Sequence, residues 1–344
     1  MKKTAVLICP GRGTYNAPEL GYIARHHSGH ELMAEFDAFR TAQGQETVSA
    51  LDRAGRFSAR VHTRGDNASP LIYAASLFDA LAISDDFDIV AVTGNSMGWY
   101  IALAAAAAVT PMAGFEIVNT MGRLMQERLI GGQILYPFVD ENWQPISGKR
   151  EELLGLVQDI GNRKGCQLAT SIHLGGMLVV AGDEAGLQAF EQAVPAQDRY
   201  PMRLPNHAAF HTALQIPVAA QGQAKLGAEL FGEPQVPMID GRGAIWWPKA
   251  TDPVALRDYT LGMQVTETYD FTKAIQVAAR EFAPDAFIVT GPGGTLGGAI
   301  AQSLISIDWE GLKDKAGFQT RQSENPILIA MGRDDQRLKA TKRS

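Results

Sequence analysis

The sequence predicts an α/β fold: a principal domain built on a parallel sheet, interrupted by a small α+β domain. Three observations predict it. Apolar runs rich in β-branched residues and bounded by turn residues recur at Thr4 to Cys9, Ile89 to Thr93 and Ala286 to Thr290, the pattern of buried parallel strands. Helical segments alternate with them. Between them, the stretch 130–204 changes character and reads β-α-β-β-α-β, the order of a ferredoxin-like split motif. The expected division is therefore a principal domain over 1–129 and 205–320, an inserted small domain over 130–204, and a C-terminal tail over 321–344.

Taken in order, Thr4 to Cys9 is the first strand and runs into Pro10-Gly11-Arg12-Gly13-Thr14. This glycine-rich turn matches neither the P-loop nor the dinucleotide fingerprint, but it can present backbone N–H groups. His26 to Phe57 reads as helical. His26, His27 and His30 invite a metal reading, yet no acidic or cysteine partners sit at ligand spacing, so loop or helix-surface positions are expected. Pro70 to Ile83 reads as an amphipathic helix, and Ile101 to Val109 as an Ala-rich one. Thr110-Pro111 opens a helix to Leu129, with proline at a first-turn position. In the insert, strands are expected at Gln133 to Val139, Gln167 to His173, Met177 to Ala181 and Tyr200 to Leu204. Its helices are expected at Arg150 to Ile160 and Glu184 to Val194. Downstream come helices at Pro217 to Leu230, Pro253 to Leu261 and Tyr269 to Phe282, with an irregular stretch at Glu233 to Ala250. After the strand at Ala286, the turn Gly291-Pro292-Gly293-Gly294 leads into a last helix. The tail from Arg333, with Lys339, Lys342 and Arg343, is expected to fray.

Composition narrows the function classes. At 344 residues, 46% hydrophobic and 20% charged, the chain is expected to bury a large core. The net charge of −6 argues against nucleic acid as the main partner. Two cysteines, Cys9 and Cys166, make no disulfide framework and no zinc site, and suit a reducing cytoplasm. The apolar run after Met1-Lys2-Lys3 ends at Pro10, too early for a secretory leader. No run approaches a membrane span. A cytoplasmic protein with no membrane partner, bound metal or resident cofactor is expected.

The stretch that carries chemistry is Gly94-Asn95-Ser96-Met97-Gly98, between a predicted strand and a predicted helix. A Gly-x-Ser-x-Gly pattern in that context is a nucleophile elbow, with the serine at the tip of a sharp turn and the following N–H groups at a helix N-terminus. Ser96 is thus a candidate acyl-accepting nucleophile, the alternative being an N-cap serine in a plain strand-to-helix turn.

Four stretches together resemble the malonyl-CoA:acyl carrier protein transacylases. Cys9-Pro10-Gly11-Arg12-Gly13 resembles their first-strand loop, Gly94-Asn95-Ser96-Met97-Gly98 their elbow, Phe210-His211-Thr212-Ala213-Leu214 their histidine segment, and Val289-Thr290-Gly291-Pro292-Gly293 their late glycine-proline-glycine turn. The resemblance covers about residues 4 to 305. It implies an α/β-hydrolase-like domain with a ferredoxin-like insert, and ping-pong acyl transfer from acyl-CoA to the phosphopantetheine thiol of an acyl carrier protein. It further implies Ser96 as nucleophile and His211 as base, oriented by the main-chain carbonyl of Gln264. The oxyanion hole would be the backbone N–H groups of Arg12 and Met97. From the residues alone, His207 is as good a base as His211.

Departures from the family pattern concern the acyl pocket. Met121, in Met121-Gly122-Arg123-Leu124-Met125-Gln126, stands where the family has the arginine that pairs with the malonyl carboxylate. Methionine offers an apolar wall, so an uncharged acyl group is expected unless another cation intervenes. Arg12 is one candidate; a solvated loop side chain is the plainer expectation for it. Asn95, Trp99 and His173 also depart from the pattern and are expected at the pocket, although Trp99 could equally pack on the Ala-rich helix. The resemblance thus implies an acyl-CoA:carrier-protein S-acyltransferase of fatty acid or polyketide assembly. A hydrolase of acyl carrier proteins on the same scaffold and a non-catalytic docking subunit are the alternatives.

Overall fold

The structure is a computed structural model that describes residues 2–341; Met1, Lys342 and Arg343 of the sequence reading lie outside it. The chain begins with β1 (Lys3–Cys9), then α1 (Tyr22–His26), α2 (Leu32–Ala42), α3 (Val48–Asp52), α4 (Ala59–His62) and the long α5 (Gly65–Leu81). Next come β2 (Phe87–Gly94), α6 (Gly98–Ala105), α7 (Pro111–Arg128), β3 (Gly132–Pro137), α8 (Lys149–Gly161), β4 (Leu168–Leu174), β5 (Met177–Gly182), α9 (Glu184–Ala193) and β6 (Met202–Arg203). The remainder is α10 (Ile216–Lys225), β7 (Met238–Ile239), β8 (Ile245–Trp246), α11 (Pro253–Leu261), α12 (Met263–Thr266), β9 (Tyr269–Asp270) and α13 (Phe271–Phe282), followed by β10 (Ala286–Val289), α14 (Gly297–Ile305), α15 (Lys315–Glu324), β11 (Leu328–Ala330) and α16 (Asp334–Ala340).

Among the described residues the principal sheet has the strand order β11-β10-β1-β2-β7-β8. It is parallel except for β8, which folds back antiparallel on β7. β1 is central, in register with β10 (Ile8 opposite Val289) and with β2 (Leu7 opposite Val92). Its residues Ala5 to Cys9 are all buried, which is why the strand is uniformly apolar rather than alternating. The second sheet has the order β6-β3-β5-β4, antiparallel throughout, the arrangement of a split β-α-β-β-α-β unit. Helices α8 and α9 pack on it around a core of its own, including Tyr136, Leu153, Leu178 and Phe190. β9, from the far end of the chain, extends this sheet parallel to β4 (Ile172 opposite Tyr269). The two sheets are therefore joined by chain that leaves the principal domain for the edge of the other. No helix among the described residues is long and apolar enough to cross a membrane.

Several expectations are corrected. The helix expected over His26 to Phe57 is broken into α1, α2 and α3 by turns at Gly29 and Gly44, both at positive φ. The helix placed at Pro70 to Ile83 starts at Gly65 and is not amphipathic: Ala68 to Asp79 are all buried, against α3, α6 and α7. Pro70 sits inside it because the Asp66 carbonyl, which would have lost its helical partner, accepts instead from Arg40 Nη1 at 2.7 Å. The irregular stretch Glu233 to Ala250 holds β7 and β8. The helix expected over Pro217 to Leu230 stops at Lys225, short of Leu226.

The tail expected over 321–344 is not a tail. β11 forms the outer strand of the principal sheet, and α16 carries Arg337 to a buried cluster beneath α5. There Arg337 Nη1 lies 2.5 Å from Asp79 Oδ1. Asp79 also accepts from Tyr22 Oη and from the Gly291 N–H, each at 2.7 Å, and His27 Nε2 lies 2.7 Å from it. The His27 ring is thus packed into this cluster, with its side chain 5% exposed, and the ring of His30 stacks on Phe78 at 3.8 Å. The hydrogen bonds and Arg337 hold the Asp79 carboxyl below its ordinary range although burial pushes the other way. Removing one partner of a buried pair leaves an uncompensated charge, so Arg337→Ala should cost about 3 kcal/mol or more in urea denaturation. The exposed Arg203, paired with Glu184 and Glu191, should cost about 1 kcal/mol or less on truncation. Equal losses would show that the buried cluster does not hold the C-terminal segment.

Candidate active site

β2 ends at Gly94 and α6 begins at Gly98, and the turn between them is forced by contact. A Cβ on Gly94 would lie 2.2 Å from the Gly98 carbonyl, and a Cβ on Gly98 would lie 2.2 Å from the Cys9 carbonyl oxygen. Only glycine fits either position. Ser96, between them, is held at φ 56°, a left-handed conformation that costs a non-glycine residue about 1 kcal/mol or more. Of residues 91 to 104, all the others are buried and Ser96 alone is partly open. Cys9 is beside the elbow, but burial pushes its thiol up to about 12, which leaves it inert.

Ser96 Oγ lies 2.7 Å from Nε2 of His211. Nδ1 of His211 lies 2.6 Å from the main-chain carbonyl of Gln264. A carbonyl can only accept, so Nδ1 carries the proton and Nε2 is free to accept from the serine hydroxyl. Burial pushes the imidazole down to about 4, the carbonyl bond resisting, so the ring is neutral at ordinary pH. His211 is itself at φ 58°, with its N–H donating to Val265 O at 3.1 Å. His207 does not reach the serine: its Nδ1 is 2.7 Å from Gln133 Oε1, and burial with the nearby Arg12 charge pushes it down to about 3.

The turn Pro10 to Gly13 lies against the elbow, since a Cβ on Gly11 would fall 2.7 Å from the Asn95 carbonyl oxygen. The backbone N–H groups of Arg12 and Met97 donate to no protein acceptor among the described residues. They are the two donors that the sequence reading assigns to an oxyanion hole.

A cavity opens beside Ser96 and His211. Its walls are Arg12, Ser69, Met97, Tyr100, Val118, Gly122, Met125, Phe210, Gln264 and Val265. It is narrow, with about 20 Å³ open to the centre of a water molecule, room for about one water. None of the four expected pocket residues is among these walls. Met121 is fully buried and points at α10, where a Cβ on Gly222 would come 2.6 Å from its sulfur. Met121 lies at the edge of the stripe that Val118, Gly122 and Met125 form on α7, within about 60° of both Val118 and Met125, and its sulfur packs on the α10 side. Trp99 is fully buried, its Nε1 donating to Thr260 at 2.9 Å and its ring edge-on to Tyr259. Asn95 is buried under the turn, and His173 sits on β4 beside β9. Arg12, expected in solvent, instead lines the cavity.

Compared with solved structures, the chain is similar to the malonyl-CoA:acyl carrier protein transacylase of Synechocystis sp. PCC 6803, at 18% identity over 98% of this chain and 99% of that one, with a TM-score of 0.73. The transacylase of Coxiella burnetii is 16% identical over 100% and 98% of the two chains, with a TM-score of 0.75. A type II polyketide malonyl-transacylase in complex with its acyl carrier protein is 18% identical over 99% of each chain, with a TM-score of 0.71. The chain has the malonyl-CoA:acyl carrier protein transacylase fold. No protein-family model matches the sequence, and no curated protein matches it either.

Several side chains that secure the site were not singled out by the sequence reading. Gln264 does more than offer its carbonyl: its Nε2 donates to Ser96 O at 3.0 Å, and its Oε1 accepts from Tyr100 Oη at 3.2 Å. Tyr269 Oη donates to Gly94 O at 2.5 Å. A buried relay ties the histidine segment to the second sheet: Gln133 Nε2 donates to Ser171 Oγ, and Ser171 Oγ to Phe210 O, each at 2.7 Å. Polar residues at inward positions of predicted strands, Gln133 and Ser171, are the signal that could have found it.

A base whose folded pKa is pushed down is competent above that value and lost below it. Labelling of Ser96 by a fluorophosphonate should therefore hold its rate as the pH falls through the ordinary histidine range, and decline only towards about 4. Tryptophan fluorescence would check that the fold survives. A limb at the ordinary histidine value would show that His211 is not held neutral by burial.

Proposed function

We propose that this chain is an acyltransferase that moves a short acyl group from coenzyme A to the phosphopantetheine thiol of an acyl carrier protein through an acyl-Ser96 intermediate. The observation that carries this reading is the line Ser96 Oγ, His211 Nε2, His211 Nδ1, Gln264 O, with gaps of 2.7 and 2.6 Å. Ser96 Oγ attacks the thioester carbonyl while His211 Nε2 takes its proton. Charge on the carbonyl oxygen meets the Arg12 and Met97 N–H groups and the N-terminus of α6. Collapse breaks the C–S bond, and the Nε2 proton goes to the departing thiolate. In the second half the carrier thiol gives its proton to Nε2 and attacks the ester, and Ser96 leaves with that proton restored. CoA enters as a substrate, and no step calls for a metal or a resident cofactor.

The narrow cavity favours a short acyl group. The solved complex between a similar transacylase and its carrier protein supports a carrier protein as acceptor, and hence a place in fatty acid or polyketide assembly in the cytoplasm. The domain reading, with 130–204 as the insert, places the relay through Ser171 at the boundary between the two parts.

Intact-protein mass spectrometry tests the reading. Brief exposure to short acyl-CoA thioesters should add one acyl mass to the protein, none to Ser96→Ala, and the adduct should discharge onto added holo-carrier protein. Loss of the adduct to water at the same rate with and without carrier would make the chain a hydrolase. No adduct from any thioester would overturn acyl transfer.

A further inference from the structure

The segment that carries the base is strained at both ends, and a side chain from the turn after β1 reaches into it. Asn206 and His211 both have positive φ, 57° and 58°, conformations that non-glycine residues keep only when their surroundings hold them. On one side the second sheet holds this segment, through Ser171 and the carbonyl of Phe210. On the other side Arg12 holds it. Arg12 Nη2 donates to the Asn206 carbonyl at 2.7 Å and to the Thr63 carbonyl at 3.2 Å. Its guanidinium lies over the Phe210 ring, 5.1 Å from the centroid. Asn206 Nδ2 donates to Thr63 Oγ1 at 2.6 Å and closes the socket. Gly65, where α5 begins, leaves the room: a Cβ there would lie 3.2 Å from Arg12 Nη1.

Arg12 fills this socket at a cost. Burial pushes its guanidinium down to about 10, so it stays charged at neutral pH. Asp66, the acid whose field reaches it, has its carboxylate held by Arg64 at 2.8 and 3.0 Å. Nε and Nη1 are shut off from solvent and meet no acceptor, so they are closed to a substrate as well. A buried cation kept on two carbonyls and a ring needs a reason. Its connectivity supplies one. The backbone N–H of Arg12 is one of the two donors beside Ser96 with no protein acceptor among the described residues. Its side chain ends on Asn206 and Phe210, in the chain that leads into His211. One residue therefore spans the oxyanion side and the base side of the elbow.

We propose that Arg12 is a positioning residue whose buried side chain fixes the oxyanion turn and the His211 segment at one spacing, so that the Arg12 N–H and His211 Nε2 address the same group on Ser96. This rests on the reading of Ser96 as nucleophile and His211 as its base. The side chain acts through Asn206 and Phe210, not on the substrate. A misplacement of about 1 Å in a catalytic group can cost about a hundredfold in rate. Loosening either loop would therefore slow the step at Ser96 without weakening the binding that precedes it.

The test is labelling of the full-length protein by a fluorophosphonate, whose phosphonyl oxygen meets the same N–H donors and whose attack by Ser96 needs the same base. Three quantities are read for wild type, Arg12→Ala and Arg12→Lys: the saturating rate, the reagent concentration at half that rate, and the fraction labelled at completion. Both variants keep the backbone N–H. Arg12→Ala should lower the saturating rate about tenfold or more, with half-saturation within about twofold of wild type and labelling still complete. Arg12→Lys should fall between, since a point charge replaces the fork. An unchanged saturating rate in Arg12→Ala would overturn the proposal. So would a loss confined to the fraction labelled, which marks unfolding, or to half-saturation, which marks direct contact with the reagent. If Arg12→Ala does not fold, Arg12→Lys decides: a slower rate at complete labelling supports the proposal and an unchanged rate overturns it. The expected rate loss in a protein that forms no adduct with thioesters would support positioning and count against acyl transfer. Wild-type protein that takes no label would overturn the reading of Ser96 and the positioning role with it.

Discussion

The site depends on one close approach, that of Gly98 to the Cys9 carbonyl. With no Cβ at that point, the first turn of α6 sits directly on the end of β1. Three things follow from this contact. The chain must reverse sharply after Gly94, which throws Ser96 outward at positive φ. The N-terminus of α6 is brought under the serine, with the Met97 N–H unpaired. The turn that leaves β1 is laid along the elbow, which brings both the backbone and the side chain of Arg12 to the same cavity. The apolar core of the sheet supplies the stability against which this strained turn is held.

His211 reaches the serine through a second set of constraints. His211 sits on irregular chain between two clamps. On one side Gln264 and Val265 accept from its ring and its backbone. On the other, Ser171 and Gln133 reach across from the second sheet to Phe210 and His207. β9 then joins that same sheet, and Tyr269 of β9 bonds the carbonyl of Gly94. The inserted unit is thus a brace that fixes the histidine against the elbow. Its own hydrophobic core makes the brace stiff without crowding the cavity.

What the sequence made legible was whatever backbone sterics dictate. Gly94, Ser96 and Gly98 could be read because only glycine permits the approach, and the flanking strand and helix had clear patterns. The order of the insert was legible from its alternating strands and turns. Orientation was not. A motif places Met121 on the cavity-facing stripe of a helix but does not say which edge of that stripe its side chain follows, and here the sulfur packs against Gly222 of α10. Trp99 was misplaced for the same reason. Burial by neighbours remote in sequence was hidden too. Asp79, His27 and Arg337 are far apart in the chain, so α5 looked half-exposed and α16 looked frayed. β11 was legible by the rule that found β1 and β10, since Ile327 to Met331 is an apolar run bounded by Pro326 and Gly332.

His207 and His211, four residues apart, are kept neutral by different causes, and only His211 lines the cavity. The Arg12 charge bears on His207 and helps to keep it neutral, whereas His211 is kept neutral by burial alone, against the pull of the Gln264 carbonyl. A base that owes its low pKa to desolvation recovers basicity as negative charge develops next to it. In the proposed reaction His211 would therefore take the Ser96 proton with no fixed cation opposing it.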